Sequence, residues 1–267
     1  MRLYDAHNHL QDERLLDRAD ALLREAADEG IAHMVVNGAT ETDWPDVAAL
    51  YERHPDHIIP SYGLHPWYVQ QRSDQWEQRL CAALDAHPAG VGEMGLDRWK
   101  SDLSWEGQEE VFIAQLRIAA ERNLPASIHC LQAWGRLYEI LEQEPRPACG
   151  FLLHSYGGSA EMVERFAPLG AYFSFPGAFA REKKERQREA FRRVPPDRLL
   201  IETDAPDQHP PPRLITHPLK DNEGQALNHP ANLAAVYRYV ADMLDEPVEQ
   251  LAARVETNFK RLFAAFS

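Results

Sequence analysis

The sequence predicts a (β/α)8 barrel, and three observations lead to it. Eight short apolar runs are spaced along the chain, amphipathic stretches of helical period lie between them, and imidazoles or carboxylates stand at the ends of six of the runs. Strands that each feed a helix build a parallel sheet, and eight of them close into a cylinder of about 250 residues. The 267 residues fit one such domain, spanning 1–267. An open doubly wound sheet is the competing architecture, but no Gly-x-Gly-x-x-Gly turn follows the first run.

The runs cover residues 3–9, 32–39, 58–65, 90–96, 125–130, 150–156, 171–177 and 199–204. The first ends in Asp5-Ala6-His7-Asn8-His9. Two imidazoles two residues apart on a strand share a side, and neutral imidazole is the commonest nitrogen ligand for a divalent ion. The third run ends at His65 and the fourth carries Glu93. The fifth ends at His129, the sixth reaches His154, and the eighth ends at Asp204. Helical patterns cover 13–29, 104–122 and 133–142. In the second of these Val111, Gln115, Ile118 and Arg122 step along one face, with Phe112, Leu116 and Ala119 beside them. Two more helical segments, 231–244 and 248–266, close the chain, the last with Pro247 at its start.

An apolar fraction of 44% is ordinary for a globular core. No apolar run approaches the roughly 20 residues of a membrane helix, and the opening Met-Arg-Leu-Tyr-Asp lacks the apolar region of a secretory signal. Cys81, Cys130 and Cys149 spell neither a disulfide framework nor a Cys-x-x-Cys site, and suit a reducing, cytoplasmic setting. The formal charge of −14 argues against tight nonspecific binding of duplex nucleic acid, which needs a basic face. It does not exclude a nuclease, because metal ions supply local positive charge. No membrane contact is expected, and the chain is expected to be a monomer or weak oligomer.

In a barrel every strand end opens on one face, so His7, His9, Glu93, His129, His154 and Asp204 would converge there. Buried imidazoles and carboxylates need partners, and a divalent ion is one. Four imidazoles with two carboxylates suit zinc, manganese, cobalt or iron, with room for more than one ion.

The strings DAHNHL (5–10), GLHP (63–66), GEMGLD (92–97), PASIHC (125–130), LLHSYGG (152–158) and LLIETDAP (199–206) resemble the successive motifs of the TatD family of metal-dependent hydrolases. The resemblance continues through Asn228-His229-Pro230 and Asn258-Phe259-Lys260. It implies a distorted barrel of the amidohydrolase type and a two-metal site, with divalent zinc, manganese, magnesium, cobalt or iron. His7, His9 and Asp204 would hold one ion, His129 and His154 the other, and Glu93 would bridge them. His65 would lie near the substrate phosphate. Many members of the family are deoxyribonucleases, some trimming DNA or RNA from the 3′ end. The chemistry follows. A hydroxide bridging two ions about 3.5–4 Å apart is a nucleophile near neutral pH, Asp204 can bind metal and accept the proton, and Glu93 and Asp204 are the catalytic pair. The expected function is therefore a phosphodiesterase acting on single-stranded ends of nucleic acid.

Two departures from the family pattern stand out. Leu131 replaces an Arg in the string after His129, and Asp97 is followed by Arg98 and Trp99 where many relatives carry Tyr. Arg98 is a candidate for the missing positive charge. Leu131 and the acidic surface favour an alternative, a hydrolase of small esters, amides or phosphoesters at the same site. A metal-bound interaction protein without catalysis is a third reading.

Smaller features complete the expectations. Residues 181–193 hold seven basic and three acidic residues. They follow the seventh strand, where barrel loops often bind phosphate, but the simpler expectation is a solvated helix with i,i+4 pairs such as Glu182 with Arg186. Ser174 could bond substrate, Trp67 and Trp99 could stack on a base, and Glu202 and Thr203 could orient the imidazoles.

Overall fold

The eight runs are short and largely buried, and in the computed structural model all eight form strands of one parallel sheet, in sequential order. The structure describes residues 1–100 and 102–264. Along the chain, β1 (Leu3–Asn8), α1 (Ala19–Asp28), β2 (Ile31–Asn37), α2 (Trp44–Arg53), β3 (Ile58–Tyr62) and α3 (Trp76–Ala86) form the first part. They are followed by β4 (Gly90–Asp97), α4 (Trp105–Arg122), β5 (Ala126–Leu131), α5 (Trp134–Gln143), β6 (Phe151–Leu153) and α6 (Ala160–Phe166). Then come β7 (Ala171–Pro176), α7 (Glu185–Phe191), β8 (Leu199–Glu202), a small antiparallel pair (Leu219–Lys220 with Ala226–Leu227), α8 (Leu233–Met243) and α9 (Val248–Leu262). The expected barrel is present.

The barrel closes between β1 and β8 through loops and one side chain. Asp204 N–H donates to His7 O at 2.9 Å and His9 N–H to Ala205 O at 2.7 Å. The fully buried Asp5 carboxylate accepts from the Thr203 N–H at 2.9 Å and the Thr203 hydroxyl at 2.5 Å. Helices α8 and α9 cover this seam. Tyr237 hydroxyl donates to Tyr4 O, and Phe259 packs on the Tyr4 ring.

Strand β4 admits little beyond backbone beside β5. Gly92 and Gly95 have φ of 155° and 142°, which side chains rarely adopt. A Cβ at Gly92 would lie 2.7 Å from Ser127 O, and one at Gly95 would run into His129 O. Glycine here lets β4 and β5 crowd together around Glu93.

Helix boundaries depart from the expected ones where polar groups intervene. Residues 13–18 are turn and a short 3-10 segment rather than helix, because Asp12 O accepts from Leu15 and Leu16 N–H and its carboxylate from Arg14 N–H. Residues 230–232 form a 3-10 turn ahead of α8. The end of the last expected helix, at 265 and 266, lies outside the described residues. At α4 the expected start holds, since Ser104 Oγ caps by accepting from Gly107 N–H at 3.2 Å.

Two buried glutamines of α4, seven residues apart on one face, brace the barrel rim. Gln115 accepts from Leu64 N–H at 2.7 Å and donates to Leu64 O at 3.2 Å. Gln108 does the same for Asp97, at 2.7 and 3.0 Å. Gln115→Leu would leave both Leu64 groups unpaired in the interior, and the variant is expected to lose about 1–3 kcal/mol of stability. A urea-unfolding midpoint equal to that of the unmodified chain would refute this role of the clasp.

Candidate metal centre

The ladders end before most of the chemistry begins. β3 stops at Tyr62, β6 at Leu153 and β8 at Glu202, so His65, His154 and Asp204 sit one to three residues past the sheet. Asp204 and Ser155 take left-handed backbone, with φ of 53° and 42°. For non-glycine residues this is uncommon and clusters at functional sites.

These ends converge. Potential ligand atoms of His7, His9 and Asp204 lie within 4.8 Å of one another, as do those of His7, Glu93 and His154, and those of His65, Glu93 and His129. Glu93 is at the centre. Its Oε2 is 3.3 Å from His7 Nε2 and 3.1 Å from His9 Nε2. Its Oε1 faces the other side, 3.1 Å from His129 Nδ1, 2.8 Å from His154 Nε2 and 3.3 Å from His65 Nε2. Asp204 Oδ1 lies 3.7 and 3.5 Å from the Nε2 atoms of His7 and His9.

Partners behind the rings fix which nitrogen faces inward. His9 Nδ1–H donates to Asn37 O at 2.7 Å, because a carbonyl only accepts, so in its neutral form Nε2 presents a lone pair to Glu93. His129 Nε2–H donates to Asp97 Oδ2 at 2.9 Å, leaving the Nδ1 lone pair inward. Asp97 also accepts from Trp67 Nε1–H at 2.7 Å. His7 Nδ1 is 2.8 Å from Ser127 Oγ. His65 is the opposite case. Its Nδ1 accepts from Trp67 N–H at 3.1 Å, so the neutral ring keeps its proton on Nε2.

Lone pairs aimed at a carboxylate need positive charge between them, and the titration pattern expresses that need. Burial opposes the charged form of His9, yet Glu93 and Asp204 outweigh it and raise it to about 9. Burial is likewise outweighed at His154, by Glu93 and Glu202, and at His129, by Asp97 and Glu93, so both are raised. Burial and the neighbouring His154 lower His7 to about 3, and burial lowers His65 to about 4. Burial raises the Asp204 carboxyl to about 7. The cluster thus favours positive charge at its centre, and nitrogen and oxygen donors without thiolate match a divalent metal. Metal-ligating imidazoles are held from behind by carboxylates or carbonyls in the same manner.

The cluster opens into a cavity of about 1410 Å³. His9, His65, Glu93, His129, His154 and Asp204 reach its surface, while His7 is enclosed beneath them. Two residues expected to touch substrate are elsewhere. Ser174 is fully buried and its hydroxyl donates to Glu202, because an unpaired hydroxyl beside a buried carboxylate finds that partner first. Arg98 is exposed and lies over the Trp105 ring, 3.8 Å from its centroid, a cation–π contact that turns it from the mouth. Thr203 supports Asp5 rather than an imidazole, whereas Glu202 holds Ser155 and lies 3.7 Å from His154 Nδ1. Trp99 is on the cavity rim, and Lys100 covers one face of Trp67 at 3.6 Å. Cys130 is buried, which pushes its thiol well up and keeps it neutral. Sequence reasoning missed the roles of Ser127, Asp97 and the Asn37 carbonyl. Strand alternation was the available signal for two of them: Ser127 shares a side with His129, and Asp97 with Glu93.

The model of TatD-related DNases matches residues 4–264. The metal-dependent hydrolase YjjV of Escherichia coli K12 is 29% identical over 265 residues, covering 98% of each chain. The 3′-5′ ssDNA/RNA exonuclease TatD of Escherichia fergusonii is 30% identical over 267 residues, again 98% of each. The crystal structure of YjjV superposes with a TM-score of 0.89 at 27% identity over 98% of both chains. An amidohydrolase from Saccharomyces cerevisiae shares the fold, with a TM-score of 0.78 at 19% identity. With its barrel, its strand-end imidazoles and a match along nearly its whole length, the chain belongs to the TatD family of metal-dependent hydrolases.

Proposed function

We propose that the chain hydrolyses phosphodiester bonds at the ends of single-stranded DNA or RNA, with two divalent cations as cofactor. The observation that carries this reading is Glu93, whose two oxygens face two different sets of imidazoles. The activity named for the E. fergusonii relative supports the substrate class. His7, His9 and Asp204 would hold one ion, His129 and His154 the other, and Glu93 both. Zinc, manganese, cobalt and iron all suit such donors, and magnesium is the further candidate.

Bound cations supply a Lewis acid that lowers the pKa of water and stabilises charge on a phosphoryl oxygen. The chain's own groups do the rest. Asp204, at the cavity surface, accepts the proton of the attacking water and returns it to the leaving oxygen. His65, neutral and protonated on Nε2, donates to a non-bridging phosphate oxygen. Asn37, Asp97 and Ser127 hold the rings so that no reorganisation is needed at the moment of reaction.

A second reading, hydrolysis of small esters, amides or phosphoesters, draws on the apolar rim, where Trp99 is 61% and Leu131 38% exposed. A purely binding role has less support, because the cluster opens to a wide cavity.

End-labelled oligonucleotides incubated with Mg²⁺, Mn²⁺ or Zn²⁺ should shorten from one end. Turnover no greater than that of Asp204→Asn with every metal, alongside activity on a small-ester panel, would favour the second reading. Glu93→Ala should lose both ions and nearly all activity with the barrel intact by circular dichroism. Two retained equivalents by elemental analysis would mean the bridge is misassigned. Asp97→Asn keeps the shape but weakens the hold on His129, and divalent affinity should fall about 10–100-fold. Unchanged affinity by calorimetric titration would count against Asp97 as the orienting group.

A further inference from the structure

The seven basic residues of segment 181–193 divide into three groups: Arg181, Arg188 and Arg192 are bound within the chain, Lys184 and Arg186 line the cavity, and Lys183 and Arg193 are exposed outside it. Arg192 pairs with Glu185 and Glu189, and Arg181 donates to His209 O. Arg188 is buried, and its guanidinium donates to Phe179 O at 2.9 Å, Arg181 O at 2.5 Å and Glu182 O at 3.2 Å while pairing with Glu185. It thus clamps the loop from Phe179 to Glu185 in one shape. The expected Glu182–Arg186 pair is absent among the described residues. Lys184 and Arg186 instead line the cavity, and among the described residues neither makes an ion pair.

The remaining rim sharpens the contrast. After β8, β1 and β2 the cavity is lined by Asp207, Asp12, Glu13, Asp43 and Asp46, and its other cation, Arg14, is already bound by Asp12 and Asp207. After β4 and β5 the wall is apolar, with Trp99 and Leu131. On a chain of charge −14, a polyanion is repelled from the acidic sector, and among the described residues lining the cavity the cations outside an ion pair are Lys184, 5.5 Å over the Phe179 ring, and Arg186, both after β7.

We propose that Lys184 and Arg186 form a phosphate-binding wall for a single-stranded polynucleotide. The strand's backbone runs past β7 and its bases lean on Trp99 and Leu131. This rests on the phosphodiesterase reading above and adds the path of the bound strand across the rim. The segment is ordered by a buried arginine before substrate arrives, so little ordering cost falls on binding. A substrate carrying only the scissile phosphate gains nothing from this wall, so it selects for chain length.

The test is anisotropy titration of a short fluorescein-labelled single-stranded oligodeoxynucleotide in metal-free buffer over a range of salt. Lys184→Ala/Arg186→Ala is compared with Lys183→Ala/Arg193→Ala, which loses the same charge at exposed positions outside the cavity. The first variant should bind about tenfold more weakly, with a salt slope smaller by about 1–1.4 from two lost phosphate contacts, while the second stays near the unmodified chain. Both variants should melt at the unmodified temperature and hold the same metal. Equal weakening in both variants would reduce the effect to net charge and overturn the proposal. So would unchanged affinity in the first, or no binding by the unmodified chain. Binding with this pattern but no cleavage under any metal would leave the wall standing and sink the phosphodiesterase reading instead.

Discussion

A single buried carboxylate organises this molecule. Glu93 is almost wholly removed from water and is surrounded by five imidazoles. An isolated anion there would be prohibitive, and so would a set of lone pairs directed at it. The arrangement is tolerable only with positive charge threaded between the groups. Much of the surrounding fold serves that requirement: glycines in β4 let the neighbouring strands approach, and a second ring of Asp97, Ser127 and Asn37 aims the imidazoles. Asp5 ties β8 to β1 next to Asp204.

Barrel geometry explains why such distant residues can share one charge. Parallel strands put all their carboxyl ends on one face, so residues from position 7 to position 204 meet without any long loop. The regular strands end before His65, His154 and Asp204, yet their amides still bond across to Ala39 O, Ile128 O and His7 O, and these bonds hold the three side chains over Glu93. Asp204 adopts its left-handed backbone with its amide pinned to His7 O, so the acid and the first imidazole move as one piece.

Much of this was legible in the sequence. The strand runs, the helical stripe of α4 and the six strand-end groups follow from periodicity and residue type, and the family motifs gave the ligand assignment proposed above. What escaped was what depends on tertiary neighbours. Ser174 was legible as a hydroxyl at a strand end but not as the neighbour of Glu202. Arg98 was legible as a spare cation but not as one drawn onto Trp105. The basic run read as a solvated helix because its local i,i+4 spacing is all a sequence displays. Arg188 is instead spent on backbone carbonyls nine, seven and six residues upstream, a contact no periodicity reports.

The crowding at β4 also has a consequence for how this protein can diverge. Gly92 and Gly95 leave no room for any side chain against β5, so these two positions flanking Glu93 are closed to variation. Novelty must therefore accumulate in the connecting loops. Swapping the segments around Trp99, Leu131 and Lys184 between relatives is the natural route to new selectivity, because it alters what enters without disturbing where the bond is broken.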